Sequence, residues 1–454
     1  MTITRQLVEW AWQLDLNQVP ARVQHAACRH LLDGTGTAIA GLRYQAVPYV
    51  LSVAEQTPSP PESTVIGTGR KLPSAYAAFA NGALVHALDY DDTHAGALVH
   101  ATATVLPAAF AVGERTLADG NSILTAAISG FETVARIGRA VPHGFHRRGF
   151  HATSVCGVFS AALVASRLEG LSETEAVNAL GIAGSQASGS LEFLSDGSST
   201  KQLHPGWCSL AGVTASRLAS AGATGPDTIL EGPYGLYRSY AGECVEPESV
   251  LDGLGSEWET SKITIKPYPV CQLSHASLDA LSQLLGEIPD LAMIEAIDFD
   301  IPNESIPVVC EPNSSKIRPR SAYEAKFSLA WTAAVLLVDG LVDISSFVDL
   351  DRSEVRDLAS RVHYRGYDCG TVPANAPGRV TVSFREGTRL TAETPASRGG
   401  PNDPLTDSQL KKKFFDNCGP EVADPDAIAD GILGLKEVQD LTNILAHTTI
   451  PEKR

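Results

Sequence analysis

The sequence has too little positive charge to bind polyanions. It contains 35 Lys and Arg residues against 52 Asp and Glu, and its formal net charge is −17 at pH 7. A protein with this excess of negative charge repels nucleic-acid phosphates and anionic lipid headgroups. We therefore expect neither nucleic acid nor a membrane surface as a partner, and any basic binding site must be local.

Long apolar runs are also absent from the sequence. The longest, residues 101–112 and 329–338, are shorter than the roughly 20 residues that span a bilayer. Residues 1–20 lack both the uninterrupted apolar stretch and the small-residue cleavage site of a secretory signal. These absences predict a cytoplasmic protein with no membrane span.

Metal-ligand motifs are missing as well. The eight cysteines form no C-x-x-C pair, and the sequence contains no H-E-x-x-H. Scattered cysteines of this kind are typical of reduced thiols in the cytoplasm and give no zinc framework. The motifs therefore predict no bound metal.

The first half of the chain has the apolar spacing of packed helices. Up to about residue 222, apolar residues recur at intervals of three and four, as in segments 123–137 and 158–168. Ser172 and Glu175 have the spacing of a capping box at the start of another helix. This part of the chain is predicted to be a compact helical domain.

The pattern changes after Trp258, where apolar and polar residues alternate in several short segments. This period of two predicts strands, and Glu386 with Gly387 has the composition of a hairpin turn. The predicted strands are 263–265, 294–301 and 379–384, and the predicted helices are 276–285 and 324–339. We therefore expect a second, α+β domain, followed by a loop at 397–407 and a helical segment at 408–445.

Ionisable residues are concentrated in the segment HALDYDDTHAGALVH, which begins at His86. Helical spacing places His86, Asp89 and Thr93 near one face, with His94 and His100 following across a loop. Two other readings stay open. The acids can instead cap the next helix while the histidines lie at the surface, or the cluster can bind a metal, although no ligand spacing supports a metal site.

Three later segments carry further candidates. His151 directly precedes a predicted helix, whose free backbone N–H groups would favour a carboxylate. Lys201 and His204 follow a Gly/Ser-rich loop at the start of another helix. Near the predicted domain junction, where binding sites are common, the chain places Lys266, Cys271 and His275.

The four segments together resemble the MmgE/PrpD family. The resemblance rests on HALDYDDTH, GFHATS, GSQASG, DGSSTKQLHPG, LEGPYG and KPYPVCQLSH, in this order, and covers nearly the whole chain. The family contains 2-methylcitrate dehydratase, cis-aconitate decarboxylase and iminodisuccinate epimerase. The resemblance implies site residues at Asp89, Thr93, His100, His151, Lys201 and Lys266.

The resemblance also implies a fold and an assembly. The fold is mainly α, with an all-helical domain made of residues 1–264 and 393–454. A smaller α+β domain, residues 265–392, is inserted before the C-terminal helices. Between the two lies a cleft that needs no cofactor, in a protein that forms a homodimer and takes a small polycarboxylate substrate.

Two departures from the decarboxylase pattern influence the choice of reaction. Cys271 stands where the decarboxylases have a histidine, with His275 four residues later. Leu329 stands where they have a tyrosine. Both departures argue against decarboxylation.

The reactions of the family share the problem of stabilising a carbanion or enediolate beside a carboxylate. Lysines 201 and 266, with Arg147 or Arg148, suit the binding of substrate carboxylates and developing negative charge. His100 and His151 suit proton transfer at neutral pH. We expect Asp89 to orient a histidine or to fix its charge state, and Thr93 to hydrogen-bond a carboxylate, with further substrate contacts from His204, Cys271 and His275.

The sequence therefore predicts an isomerase, a cofactor-independent epimerase of a dicarboxylic imino acid such as iminodisuccinate. Two histidines on opposite walls of a cleft would remove and return the α-proton. The first alternative is a 2-methylcitrate-type dehydratase, and the second is a cis-aconitate-type decarboxylase. A non-catalytic binding protein is the remaining hypothesis.

Overall fold

The computed structural model describes residues 1–56, 60–370 and 372–451. Helices dominate, and the longer strands are confined to the second half of the chain, so the predicted mainly α fold with a smaller α+β part is confirmed. Among the described residues, no helix is both long and apolar enough to cross a membrane.

Helices α1 to α12 form the first part of the chain. They are Ile3–Gln13, Ala21–Arg43, Pro48–Ala54, Ser74–His86, Thr102–Thr116, Gly120–Arg139, Gly144–Arg147, Ala152–Leu168, Glu173–Gly184, Phe193–Asp196, Thr200–Ser220 and Pro247–Leu251. Four short strands accompany them, namely β1 to β4, which are Ser63–Thr64, Lys71–Leu72, Thr93–His94 and Ile263–Thr264. The predicted capping box of Ser172 and Glu175 is confirmed at the start of α9.

Helix α8 lies at the centre of the helical core and packs against α5, α6, α9 and α11. Small residues allow this close packing. A Cβ atom at Gly212 on α11 would lie 2.5 Å from the Cβ of Ala161 on α8, and one at Gly157 on α8 would lie 2.6 Å from the side chain of Thr104 on α5. Side chains larger than hydrogen at these positions would therefore push the helices apart.

A second hydrophobic core surrounds a four-stranded sheet in the order β6-β5-β7-β8. The strands β5 to β8 are Ile294–Pro302, Val362–Tyr367, Gly378–Phe384 and Arg389–Thr394. Strand β5 pairs in parallel with β6 and antiparallel with β7, and β7 and β8 form the predicted hairpin, in which Gly387 has a φ of +92°. Glycine readily adopts a positive φ of this size, so Gly387 suits this position of the turn.

Helices α13 to α18 belong to the same part of the chain. They are His275–Leu284, Ile306–Val309, Asn313–Ile317, Ala322–Ala325, Leu329–Asp339 and Ser353–Ala359. The prediction of one helix over 324–339 is wrong, because the chain leaves the helical conformation between α16 and α17. The side chain of Ser328 then accepts a hydrogen bond from the backbone N–H of Trp331 and caps the new helix.

The C-terminal helices α19 to α21 are Asp407–Cys418, Pro425–Leu433 and Thr442–His447. Helices α19 and α20 pack against α2, so this segment returns to the helical core. Lys413 of α19 donates to Asp33 of α2 over 2.7 Å and to the backbone carbonyl of Tyr90 over 2.9 Å. The residue numbers predicted for the domain boundaries stay a prediction.

The prediction of a helix through the segment after His86 is wrong. Helix α4 ends at His86, Asp89 has a φ of +53°, and Thr93 lies in β3, which pairs with β4. His86, Asp89 and Thr93 therefore do not share a helical face. The acids of this segment are buried, and Asp89 and Asp91 form ion pairs with side chains from elsewhere in the segment or the chain. Asp92 instead accepts a hydrogen bond from the backbone N–H of Thr102, the first residue of α5, so the alternative that an acid caps the next helix is confirmed for Asp92.

Candidate active site

A cavity of about 740 Å³, here called the main cavity, lies between the helical core and the sheet-containing core. Its size falls within the usual range of small-molecule sites, roughly 300 to 1,000 Å³. The helical part contributes charged and imidazole side chains, and the other part contributes Lys266, Cys271 and several apolar residues. Of the predicted site residues, those that line the main cavity are Asp89, Thr93, His100, Arg147, His151, Lys201, Lys266 and Cys271.

Asp89 lies between two lysines, and all three residues line the main cavity. One carboxylate oxygen accepts a hydrogen bond from Lys201, and the other lies 3.1 Å from Nζ of Lys266. Burial alone would raise the pKa of Asp89, but the charges of Lys201 and Lys266 outweigh it and hold the pKa far below its ordinary value. Two ammonium groups thus share one carboxylate, which leaves a local excess of positive charge for an anion.

Asp91 is the partner of two histidines. Its Oδ2 lies 2.7 Å from Nδ1 of His86 and 3.3 Å from Nδ1 of His100. Burial opposes ionisation of Asp91, yet the two imidazoles hold its pKa well below the ordinary value. Because an ionised carboxylate only accepts hydrogen bonds, His86 donates its Nδ1–H to Asp91. The same carboxylate favours the proton at Nδ1 of His100, which also lies 3.4 Å from Oγ1 of Thr93, so that both Nε2 atoms carry lone pairs.

The surroundings of His100 favour its neutral form. Burial lowers its pKa, and the charges of Lys201 and Lys266 lower it further against the opposing effect of Asp91. The backbone N–H of His100 donates to Oγ1 of Thr153 on α8 over 3.0 Å, which fixes the loop to the helical core. His100 therefore presents an unprotonated Nε2 that can accept a proton.

His151 forms the other imidazole face of the main cavity. It is the N-cap residue of α8, and its Nδ1 lies 3.0 Å from Nδ1 of His204. Burial, followed by the charge of Lys201, lowers the pKa of His151 well below the ordinary value. Since its Nδ1 faces a second imidazole and not a carboxylate, His151 can accept there and present an Nε2–H to the cavity.

The local folds explain how distant residues meet at this site. Strand β3 pairs with β4, and Lys266 follows β4 closely in the sequence. This pairing therefore brings the segment 89–93 next to Lys266. Lys201 lies in the first turn of α11, which packs against α4 and α8. The ammonium group of Lys266 also donates to the backbone carbonyl of Asp89 over 2.9 Å, so the left-handed turn at Asp89 is held by a charged hydrogen bond.

Several predicted site residues lie elsewhere than expected. His204 lies behind His151, and His275 is buried with its Nε2 3.1 Å from the carbonyl of Val270. Arg147 is exposed at the rim of the main cavity and pairs with Glu243 over 2.9 Å, and Arg148 is also exposed. The solvated arginines are therefore weaker carboxylate ligands than the buried lysines.

The structure also changes one expected role. We expected Asp89 to orient a histidine, but its carboxylate binds the two lysines, and Asp91 binds the histidines. Sequence reasoning missed Asp91 and the structural role of His86. The motif DYDD contains three acids within four residues, and nothing in their spacing distinguishes the lysine partner from the histidine partner.

Three histidines are close enough to suggest a metal site. Ring nitrogens of His86, His100 and His151 lie within 4.8 Å of one another, and all three residues are buried. Three imidazoles with an open position are a common zinc arrangement. The prediction that no metal binds rested on missing sequence motifs, which cannot detect ligands brought together by the fold, and it stays a prediction.

Part of the main cavity is apolar. Leu191, Phe193, Val308 and Phe327 belong to its lining, and Phe193 and Phe327 pack against each other. Nζ of Lys201 lies 5.2 Å from the centre of the Phe327 ring, where the charged and apolar parts of the lining meet. A molecule that fills the main cavity would therefore contact a cationic region and an apolar region at the same time.

Comparison with known proteins identifies relatives over nearly the whole chain. Residues 5–246 match the MmgE/PrpD N-terminal domain, and residues 268–433 match the MmgE/PrpD C-terminal domain. Cis-aconitate decarboxylase of Aspergillus terreus is 32% identical, over 99% of this chain and 96% of the relative. Cis-aconitate decarboxylase of Homo sapiens is 28% identical, over 96% and 92%, and that of Mus musculus is 27% identical, over 97% and 92%.

These relatives overturn the prediction of an epimerase. Their names describe lyases, so the predicted isomerase class and the epimerase branch are wrong for this chain. The prediction had relied partly on Leu329, which is buried in the second core and does not line the main cavity. The two matched domains and the full-length relatives show that the chain is a member of the MmgE/PrpD family.

Proposed function

We propose that this protein is a cofactor-independent lyase that releases CO2 from cis-aconitate or a close tricarboxylate analogue. The observation that carries the proposal is the pair of buried ammonium groups of Lys201 and Lys266, which share the single carboxylate of Asp89 beside His100 and His151. The names of the full-length relatives support the same reaction. A homodimer stays a prediction from the family resemblance, and a cytoplasmic location stays a prediction from the sequence.

The lysine pair would bind the carboxylates that remain in the product. Their charges lie in a buried site, where electrostatic interactions are stronger than in water. Each such donor lowers the barrier by about 3 to 4 kcal/mol when charge develops on the oxygen that it contacts. Lys201 and Lys266 would therefore stabilise the enediolate form of a retained carboxylate.

The leaving carboxylate would occupy the apolar part of the main cavity. As the bond to this carboxylate breaks, its electron pair forms a new carbon–carbon double bond and CO2 departs. The electrons of the former double bond shift to the carbon beside a retained carboxylate, and that carbon takes up one proton. Phe193 and Phe327 exclude water from the carboxylate that leaves as uncharged CO2.

Four histidines line the main cavity, at positions 100, 143, 146 and 151, and of His100 and His151 the latter is the better proton donor. The ring of His100 donates its Nδ1–H to Asp91 and so carries a lone pair at Nε2. The ring of His151 meets His204 at Nδ1 and can carry its proton at Nε2. We assign the donation to carbon to His151, and the hydrogen bonding of a retained carboxylate to Thr93 and, once protonated, His100.

The test is incubation of the purified protein with cis-aconitate in deuterium oxide. We expect one CO2 for each substrate consumed and one solvent deuterium in the unsaturated dicarboxylate product, measured by NMR and by trapping of CO2. Full consumption without CO2, or no consumption at all, would contradict the proposal. A surface variant, Lys412→Met, serves as the matched control for loss of a lysine, because Lys412 is exposed on α19.

A dehydratase is the second candidate, and a specific observation favours it. Since His100 presents a lone pair and His151 can present an N–H, the two rings suit removal of a proton from carbon and protonation of a leaving hydroxyl. This candidate predicts that 2-methylcitrate loses water and yields an unsaturated tricarboxylate. The rise of its ultraviolet absorbance, without CO2, would select the dehydratase over the decarboxylase.

A further inference from the structure

His204 connects the main cavity with a second pocket on the other side of His151. This pocket, here called the His204 pocket, has a volume of about 460 Å³ and is lined by Ser190, Thr200, Leu203, His204 and Trp207, among others. Trp207 is 48% exposed, so the pocket reaches the protein surface. His151 lines the main cavity and His204 lines the His204 pocket, and their Nδ1 atoms lie 3.0 Å apart.

The proposed decarboxylation consumes a proton in each turnover, because a tricarboxylate trianion becomes a dicarboxylate dianion and CO2. The proton must reach the substrate carbon while the substrate fills the main cavity. A neutral His151 that gave up its Nε2 proton alone would become an anion in a buried site, which is strongly unfavourable. A second proton must therefore arrive at Nδ1 of His151 during the transfer.

We propose that His204 is a positioning and relay residue that passes this proton from the His204 pocket to His151, an inference that rests on the proposed decarboxylation. A water molecule in the His204 pocket gives a proton to Nε2 of His204, and the hydroxide that it leaves is neutralised by solvent, which the pocket reaches beside Trp207. The Nδ1 proton of His204 moves to Nδ1 of His151, and the Nε2 proton of His151 moves to the substrate carbon. Both rings stay neutral, and they return to their starting tautomers when product leaves and water enters the main cavity.

The surroundings of the histidine pair suit a relay through neutral rings. Both residues are buried, and burial together with the charge of Lys201 lowers the pKa of each ring. Glu192 and Asp196 also line the His204 pocket. Phe193 lines both spaces, and its ring centre lies 6.2 Å from that of His204. Since Phe193 helps to separate the two spaces, the imidazole pair offers a proton path between them.

Two substitutions test the relay. His204→Asn keeps a group that can hydrogen-bond to His151 but cannot pass a proton. We expect kcat to fall by about 100-fold, the lower end of the range for acid–base groups, with KM unchanged. His204→Ala leaves space for a small molecule, and added imidazole should restore kcat in a saturable manner. Leu203→Ala, in the same pocket, is the matched control and should show neither effect.

A merely structural role of His204 gives different results. In that case His204→Asn would keep the kcat of the unsubstituted protein, or imidazole would not raise the rate of His204→Ala, and either result would overturn the relay. Circular dichroism and thermal unfolding of each variant verify that it folds. The unsubstituted protein assayed in the same imidazole solutions corrects for imidazole that enters the main cavity.

A readout that does not need turnover separates this inference from the proposed function. In protein with ¹⁵N-labelled histidine, NMR measures how fast the ring protons of His151 exchange with water while tricarballylate, an unreactive tricarboxylate, occupies the main cavity. The relay predicts exchange that stays fast in the unsubstituted protein and slows in His204→Asn. Equal exchange in both proteins refutes the relay, whereas absence of CO2 from cis-aconitate refutes only the decarboxylation.

Discussion

Replacement of Asp89 by Asn tests the charge arrangement of the site most directly. The substitution leaves the ammonium groups of Lys201 and Lys266 buried without the carboxylate that they share. Removal of one partner from a buried ion pair costs about 3 to 5 kcal/mol, because the other charge stays uncompensated. We therefore expect the free energy of unfolding of Asp89→Asn to fall by about this amount.

A bound tricarboxylate should reverse much of this loss. Its carboxylates replace the missing negative charge, so tricarballylate should bind Asp89→Asn more tightly than it binds the unsubstituted protein. At a free ligand concentration of 100 times Kd, binding adds about 2.7 kcal/mol of stability. Urea unfolding with and without tricarballylate measures both effects, and isothermal titration calorimetry gives the two dissociation constants.

The control is a buried carboxylate paired with a cation away from the main cavity. Glu132 lies 3.1 Å from Nε of Arg136, so Glu132→Gln should also lose stability. Tricarballylate should not bind Glu132→Gln more tightly than the unsubstituted protein. If Asp89→Asn is as stable as the unsubstituted protein, or binds the ligand more weakly, the reasoning from uncompensated ammonium groups is refuted.

Three further predictions concern charge and protonation. Lys266→Met should lower kcat/KM for cis-aconitate by about 10² to 10³, whereas Lys412→Met should not. If steady-state kinetics give the same kcat/KM for Lys266→Met and the unsubstituted protein, Lys266 does not contribute to catalysis. Binding of tricarballylate at pH 7 should take up protons, because the anion raises the lowered pKa of His100, and calorimetry in buffers of different ionisation enthalpy detects the uptake. Burial lowers the pKa of His86 and of His275 to about 3, so these rings take up protons below pH 6.5 only when the chain unfolds. Stability should then fall by about 1.4 kcal/mol per pH unit for each ring as the pH drops below 6, and an unfolding free energy independent of pH would contradict this.

Much of the fold follows from periodicity in the sequence. The intervals of three and four residues predicted the helical first part, and the alternating segments predicted β5 and the hairpin of β7 and β8. Local patterns failed where long-range contacts decide the conformation. The turn at Asp89 exists because Lys266, far along the chain, bonds both its side chain and its backbone carbonyl.

The candidate site was predictable in membership and less so in arrangement. The family motifs placed six residues, all of which line the main cavity. The sequence did not show which side chain each acid would bind. Asp89 and Asp91 are the same residue type in one short motif, and their partners lie on different elements. The reaction was predicted wrongly from two departures from the decarboxylase pattern, and one of them, Leu329, packs in the second core and does not line the main cavity.

The contact of Lys413 with the backbone carbonyl of Tyr90 has a consequence for the biosynthesis of the protein. Tyr90 follows Asp89 directly, so a residue of α19 helps to hold the turn that carries the shared carboxylate. During translation, every predicted catalytic residue emerges long before Lys413. A nascent chain can therefore carry the complete set of catalytic side chains and still lack an ordered anion site until α19 has been synthesised and has folded onto α2.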